Sequence, residues 1–87
     1  MLRQLELAEM AQGRGVGSAL LKVAQNAFDR LQLWTFQRNR PARRLYEARG
    51  FALVRETDGA ANEEREPDAL YLWTRLQAAD VISSLQK

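Results

Sequence analysis

Cysteine and histidine are both missing from this chain of 87 residues. Without cysteine there is no disulfide, no thiolate metal site and no sulfur nucleophile. Without histidine there is no imidazole base and no Ser-His arrangement. Together the two absences remove the usual ligands of zinc and other transition metals, so no metal site is expected. No apolar run approaches the ~20 residues of a membrane span, and no signal-peptide pattern opens the chain. A cytoplasmic protein is the expectation. Charge of one sign is also lacking: 13 basic and 11 acidic residues leave a formal +2, too mild a balance to imply nucleic acid. What charge there is comes in blocks. Arg38, Arg40, Arg43, Arg44 and Arg49 crowd one segment, and Glu56, Asp58, Glu63, Glu64, Glu66 and Asp68 the next. The length allows one small domain, which buries a smaller share of its surface than a larger one and is correspondingly marginal.

Against these absences, glycine is concentrated. Gln12-Gly13-Arg14-Gly15-Val16-Gly17 puts three glycines in five residues, just ahead of an apolar run from Ser18 to Phe28 with helical spacing. Glycine leaves backbone N–H groups uncovered and lets a ligand approach closely. The first turn of a helix adds orphan donors and a partial positive charge, so a diphosphate is the natural guest. Upstream, the alternation in Leu2-Arg3-Gln4-Leu5-Glu6-Leu7 reads as a strand. Spacing narrows the options. No Gly-Lys-Ser/Thr follows the glycines, and Gly13, Gly15 and Gly17 do not form G-x-G-x-x-G, so neither a Walker loop nor a dinucleotide fingerprint fits. Gln-x-x-Gly-x-Gly does, at Gln12, Gly15 and Gly17. The bland alternative is a glycine turn that binds nothing.

Further along, the pattern predicts a helix from Arg14 or Gly15 to about Arg30. Its expected buried stripe is Val16, Ala19, Leu20, Val23, Ala24, Ala27 and Phe28. Leu31–Phe36 is a short strand, parallel to the first through a tight crossover. Its two apolar sides suggest a central strand covered on both faces. Asn39 is a good N-cap and Pro41 suits the first turn of a second helix, in which Arg43 can pair with Glu47. Gly50 closes that helix. Phe51–Thr57 is a strand, followed by a polar loop through Pro67 and an antiparallel return over Ala69–Arg75. The organisation expected is one domain over residues 1–76 and a tail over 77–87.

Asn39-Arg40-Pro41-Ala42-Arg43-Arg44-Leu45-Tyr46-Glu47-Ala48-Arg49-Gly50-Phe51 also reads N-x-x-A-x-x-x-Y-E-x-x-G-F. With the glycine turn before it, in that order and on those elements, the chain resembles the GNAT superfamily of acyl-CoA-dependent N-acetyltransferases. The resemblance runs from about Leu2 to Arg75. It implies an α/β fold with a mixed sheet in the order β-α-β-α-β-β. A stretch of the usual fold on the N-terminal side is missing, two or so helices and three strands.

Roles follow from the resemblance, position by position. Backbone N–H groups of Gln12, Gly13, Arg14, Gly15, Val16 and Gly17 would hold the pyrophosphate of acetyl-CoA, with the Arg14 side chain adding charge. The first and second strands would splay, leaving backbone at Leu7 and Ala8 to bond the pantetheine arm and the thioester carbonyl. Asn39 would lie near the pantetheine, or serve only as a cap. Tyr46 would act as general acid toward the departing sulfur, or be plain core. The implied reaction is direct attack of an amine on the acetyl thioester, resting on positioning and a polarised carbonyl. Glu6, or Glu9 just beyond it, is the candidate base, with a solvated strand residue as the alternative for Glu6. The acidic loop would steer a small cationic amine, or be exposed charge. The exposed edge of the first strand points to a homodimer. A non-catalytic CoA-binding or dimerisation module is the competing reading. The same residues fit a compact dimer, a C-terminal fragment of a longer product, or a half-domain that binds without turnover.

Overall fold

The computed structural model describes residues 3–8 and 17–75. The elements run β1 (Gln4–Ala8), α1 (Ser18–Ala27), β2 (Arg30–Phe36), α2 (Arg40–Ala48), β3 (Ala52–Thr57) and β4 (Asp68–Thr74). This is the expected β-α-β-α-β-β order. The tail over 77–87, Glu9 and the turn residues 12–16 lie outside the described residues.

The four strands form one mixed sheet in the order β1-β2-β4-β3. β1 is parallel to β2, with Leu5 opposite Leu31 and Leu7 opposite Leu33. β4 is antiparallel to both neighbours, placing Tyr71 opposite Leu33 on one side and Leu53 on the other. The sequence foresees the antiparallel β3–β4 pair. It does not foresee that β4 inserts between β2 and β3. Since β3 therefore runs parallel to β2, both helical connections are crossovers stepping the same way along the sheet. Crossovers of one hand and one direction place their helices on one face. The core agrees. Leu21 and Ala24 of α1 and Ala42 and Tyr46 of α2 pack with Leu31, Leu33, Ala69, Tyr71 and Phe51.

That arrangement corrects two expectations. β2 is central, but among the described residues it is covered by helices on one side only. Leu31, Leu33 and Thr35 are fully buried while Gln32 and Trp34, facing the other way, are half-buried. The buried line of α1 is also different. Leu21 and Ala24 face the sheet, whereas Leu20 is 53% and Val23 62% exposed. The helix carries apolar residues around most of its circumference, so periodicity offers two stripes and the sheet selects one.

The helix ends have local causes. α1 stops at Ala27, short of the expected Arg30, because Phe28 turns extended and Arg30 already starts β2. Arg75 seals that end. Its guanidinium donates to the carbonyls of Gln25 (2.9 Å) and Phe28 (2.8 Å) and pairs with Asp29 at 2.9 Å. A cation on the last carbonyls of a helix satisfies them and complements the dipole. α2 begins as expected: Asn39 caps it, accepting from the N–H of Ala42 at 3.3 Å. At its far end Phe51 N–H donates to Tyr46 O (2.9 Å) and Gly50 N–H to Glu47 O (3.1 Å), with Gly50 at φ 92°. This is a Schellman closure, whose left-handed residue favours glycine. Its accompanying hydrophobic contact is Phe51 against Tyr46, ring centroids 6.0 Å apart.

Candidate active site

The N-terminus of α1 is the first part of the site. Gly17 is its N-cap in an extended conformation (φ −67°, ψ 156°), with no side-chain cap and no acidic residue in the first turn. The first intrahelical bond is Leu21 N–H to Gly17 O at 3.0 Å, so helix geometry leaves the N–H groups of the preceding turn without intrahelical acceptors. Any residue could adopt the Gly17 backbone conformation. A Cβ built there meets nothing within 4 Å. Among the described residues neither strain nor crowding demands glycine at this position. The rest of the turn, Gln12 to Val16, lies outside the described residues.

One arginine of the basic block joins this end of the helix. Arg49, the C-cap of α2, donates from Nη2 to Ser18 Oγ, while Gln25 Nε2 donates to the Arg49 carbonyl at 2.9 Å. A guanidinium thus stands beside the positive pole of α1. The residues described would suit a diphosphate: uncovered N–H donors, a helix dipole, a cation and no acidic residue in the first turn of α1. Three-dimensional packing is what singles Arg49 out of that block.

The two candidate catalytic side chains fall on opposite faces of the sheet. Tyr46 is fully buried on the helix face, its ring 6.0 Å from those of Phe51 and Tyr71. Glu6 is exposed on the open face, in register with Gln32. Leu7 points with Leu33 into the core and Ala8 with Trp34 to the open face. The β1–β2 ladder is still in register at Ala8↔Trp34, and Thr35 and Phe36 continue β2 against β4. Within the described residues the two strands have not parted, so any splay begins beyond Ala8.

Around Tyr46 a second network holds α2. Sequence spacing suggested that Arg43 pairs with Glu47, but the Tyr71 hydroxyl comes between them. Arg43 Nε donates to Tyr71 Oη at 2.8 Å, and Tyr71 O–H donates to Glu47 Oε2 at 2.7 Å. Arg43 also donates to the Gln37 carbonyl (3.2 Å) and pairs with Glu56 at 3.0 Å. Burial pushes the Tyr71 hydroxyl pKa up, opposed by Arg43 and reinforced by Glu47. The Arg43 pKa is raised by its bond to Tyr71 and, further down, by Glu56.

The acidic loop is built rather than loose. Asp68, 5% exposed, accepts from the Thr57 hydroxyl and from Asn62 Nδ2 at 3.1 Å. Asn62 also donates to the Glu66 carbonyl at 2.8 Å, and Gln37 Nε2 ties the carbonyls of Thr57 and Asp68 at 2.9 Å each. Gly59 closes the loop at φ 83°, where a Cβ would stand 2.2 Å from the Glu66 carbonyl oxygen. Of the six carboxylates expected to steer an amine, Asp68 is spent internally. Glu56 pairs with Arg43 and Glu66 with Arg38 at 3.4 Å. Asp58 bonds the N–H of Ala60 at 2.9 Å through one oxygen. Glu63 and Glu64 remain exposed. The loop's charge is therefore smaller in effect than its composition.

The fold and these elements are those of an acyltransferase domain, and comparison with known proteins agrees. The family model of the acetyltransferase (GNAT) family matches residues 1–51. The chain belongs to that family. It is 34% identical over 77 residues to peptidyl-lysine N-acetyltransferase YiaC of Escherichia coli (strain K12), an alignment covering 87% of this chain and 51% of that protein. The chain thus spans about half the length of the curated relative it matches. No solved structure matches it significantly. No helix among the described residues is long and apolar enough to cross a membrane.

Proposed function

We propose that this chain binds acetyl-CoA and passes its acetyl group directly to a primary amine, in the manner its family membership suggests. The observation that carries the reading is the N-terminus of α1. Its glycine is required by none of the described residues and leaves donors uncovered beside Arg49. Gly17, with Gln12 to Val16 before it in the sequence, holds the pyrophosphate, and Arg49 supplies charge. Asn39 and the backbone of Leu7 and Ala8, on the side where β1 and β2 would part, lie along the path of the pantetheine. When bound, acetyl-CoA supplies the activated acyl group as a thioester.

The chain's own residues then do three things. Backbone donors hold the acyl carbonyl and favour the charge that develops on it. Glu6, on the open face, takes the proton of the incoming amine, directly or through water. Tyr46, on the helix face, donates a proton to the departing sulfur. Attack of the amine on the carbonyl carbon gives a tetrahedral intermediate, whose collapse breaks the C–S bond and expels the thiolate. The relative's name speaks of peptidyl-lysine, and a lysine side chain is the amine we favour. β1 is the edge strand of the sheet, and pairing with β1 of a second copy would cover that edge in a homodimer.

The test is calorimetric titration with acetyl-CoA, followed by thiol release in the presence of a lysine peptide. Binding with peptide-dependent release is the expected result. Binding without release would make the chain a CoA-binding module, and a folded chain that binds nothing would refute the reading.

A further inference from the structure

The bulge in β3 creates a feature that the acetyl-transfer chemistry does not use. Pairing of β3 with β4 passes from Leu53↔Tyr71 to Arg55↔Leu70, skipping Val54. An extra residue in one strand re-aims the side chains that follow it. Here it carries Arg55 onto the open face, where Ala8, Trp34, Leu70 and Arg55 form one cross-strand row. Arg55 and the half-buried Trp34 share a cleft of about 490 Å³ with Thr57, Asp58, Asn62 and Asp68. That volume lies in the range of small-ligand sites.

The polar groups of the cleft are unequal. Thr57, Asn62 and Asp68 are bonded to one another and to the loop backbone. Asp58 holds the Ala60 N–H, and neither it nor Asp68 has a cationic partner among the described residues, so both keep their charge. The Arg55 side chain forms no ion pair or hydrogen bond with any described residue, although Arg38, Arg43 and Arg75 each have a carboxylate partner. A planar guanidinium beside an indole wall is suited to a carboxylate, which it can grip through two parallel bonds.

We propose that this cleft is a specificity subsite for an acidic side chain of a peptide acceptor, with Arg55 as its recognition residue and Trp34 as its wall. The proposal rests on the acetyl-transfer reading only for the position of the lysine. Ala8 and Arg55 are three strands apart along the row, about 14 Å at strand spacing. At about 3.3 Å per extended residue, and allowing for the reach of both side chains, the acidic residue lies roughly two to four positions from the lysine. The chain would thus select lysines with an acidic neighbour, even though its own loop is acidic.

Direct binding tests this without any acyl donor. Calorimetry on the full chain would compare a lysine peptide carrying glutamate three residues away with its glutamine analogue. A third peptide carries phosphoserine at that place. The glutamate peptide should bind about fivefold tighter than the glutamine one, as expected of an Arg–carboxylate pair in a cleft. The preference should vanish in Arg55→Gln, whose denaturation midpoint should match the parent because Arg55 is exposed and supports no other described residue. In two-dimensional NMR the Trp34 indole N–H should shift with the glutamate peptide and not with its analogue. Equal affinities in the parent, no binding of either peptide, or a preference that survives Arg55→Gln would overturn the proposal. Tighter binding of the phosphoserine peptide would also overturn it in favour of a phosphate site. Loss of acetyl transfer with the glutamate preference intact would refute the acetyltransferase reading and leave this one standing.

Discussion

The same substitution at two glycines should have opposite consequences. At Gly59 the backbone is left-handed, φ 83°, and a Cβ would stand 2.2 Å from the Glu66 carbonyl oxygen and 2.8 Å from its nitrogen. The left-handed conformation alone costs an alanine about 1–2 kcal/mol. The contact is with backbone, so it cannot be relieved by moving a side-chain tip. Relief requires the loop to open and the bonds of Asn62 to Glu66 and Asp68 to lengthen, for another 1–2 kcal/mol or so. Gly59→Ala should therefore lose about 3 kcal/mol, a large part of a small domain's stability. Gly17→Ala is a different case. Its φ and ψ are open to alanine and no atom lies within 4 Å of the new methyl. Removing a glycine from the unfolded chain gains about 0.4–1 kcal/mol, and alanine as an N-cap loses a comparable amount. The net should fall within about 0.5 kcal/mol of zero. Acetyl-CoA affinity should instead fall about tenfold or more, near 1.4 kcal/mol, because the methyl occupies the approach to the helix N-terminus. Urea denaturation and calorimetric titration of both variants separate the two effects. A Gly17→Ala chain that is stable and binds acetyl-CoA like the parent would refute the reasoning that this glycine makes room for the ligand.

Other expectations are shorter to state. Tyr46→Phe should keep the fold, since the ring packing with Phe51 and Tyr71 is retained. It should lower the rate of thiol release about 100-fold, with acetyl-CoA affinity little changed; stopped-flow thiol detection would show it. Tyr71→Phe removes the hydroxyl between Arg43 and Glu47 and should cost about 1–2 kcal/mol in urea denaturation, because both charged partners can partly rehydrate. The raised Tyr71 pKa adds a pH signature. The folded form favours the protonated phenol, so its contribution is complete below the unfolded value of about 10 and is lost as pH rises through the folded value. Stability of the parent should fall more steeply above about pH 10 than that of Tyr71→Phe. At the acid end, the bond to Arg75 and the Arg3 N–H hold the Asp29 carboxyl below the usual carboxylate range. Its contribution is present above about pH 4 and is lost as pH falls through the depressed folded value, so Asp29→Asn should flatten the acid limb of the stability profile.

Local chemistry was legible in the sequence where one short segment decides the outcome. The cap at Asn39, the Pro41 that follows it and the closure at Gly50 depend on neighbours within a turn, and each forms as its residues require. The six elements and their order follow for the same reason. What one segment cannot encode is the choice among equivalent partners. Leu21 rather than Leu20 is buried because the sheet, not the helix, selects between two apolar stripes. β4 lies between β2 and β3 because that slot completes two ladders at once, a fact spread over three strands. Arg43 passes over Glu47, its neighbour on the helix, for Tyr71, 28 residues away. The site was half legible in the same way. Gly17 and Tyr46 stand out by motif, but Arg49 and Arg55 acquire meaning only from what packs beside them.

The distribution of bonded and unbonded charge carries the argument about specificity further than composition does. Exposed ion pairs contribute little to stability, yet they settle which charges are available to a ligand. By that measure two carboxylates of the loop are paired, Glu56 with Arg43 and Glu66 with Arg38, while Asp68 is held by the neutral Thr57 and Asn62 and keeps its charge. Their neighbour Arg55 has no ionic partner among the described residues, and it faces the cleft with Trp34. An acidic segment can therefore present a cation at its working surface. A lysine peptide approaching the open face would meet Glu6 on β1 at its amine and Arg55 on β3 at its flank, with opposite charges at opposite ends of the sheet. Two such fixed charges read the direction of a peptide as well as its composition. Reversing the order of lysine and glutamate in the test peptide should then weaken binding, whereas a single diffuse electrostatic field would treat the two orders alike.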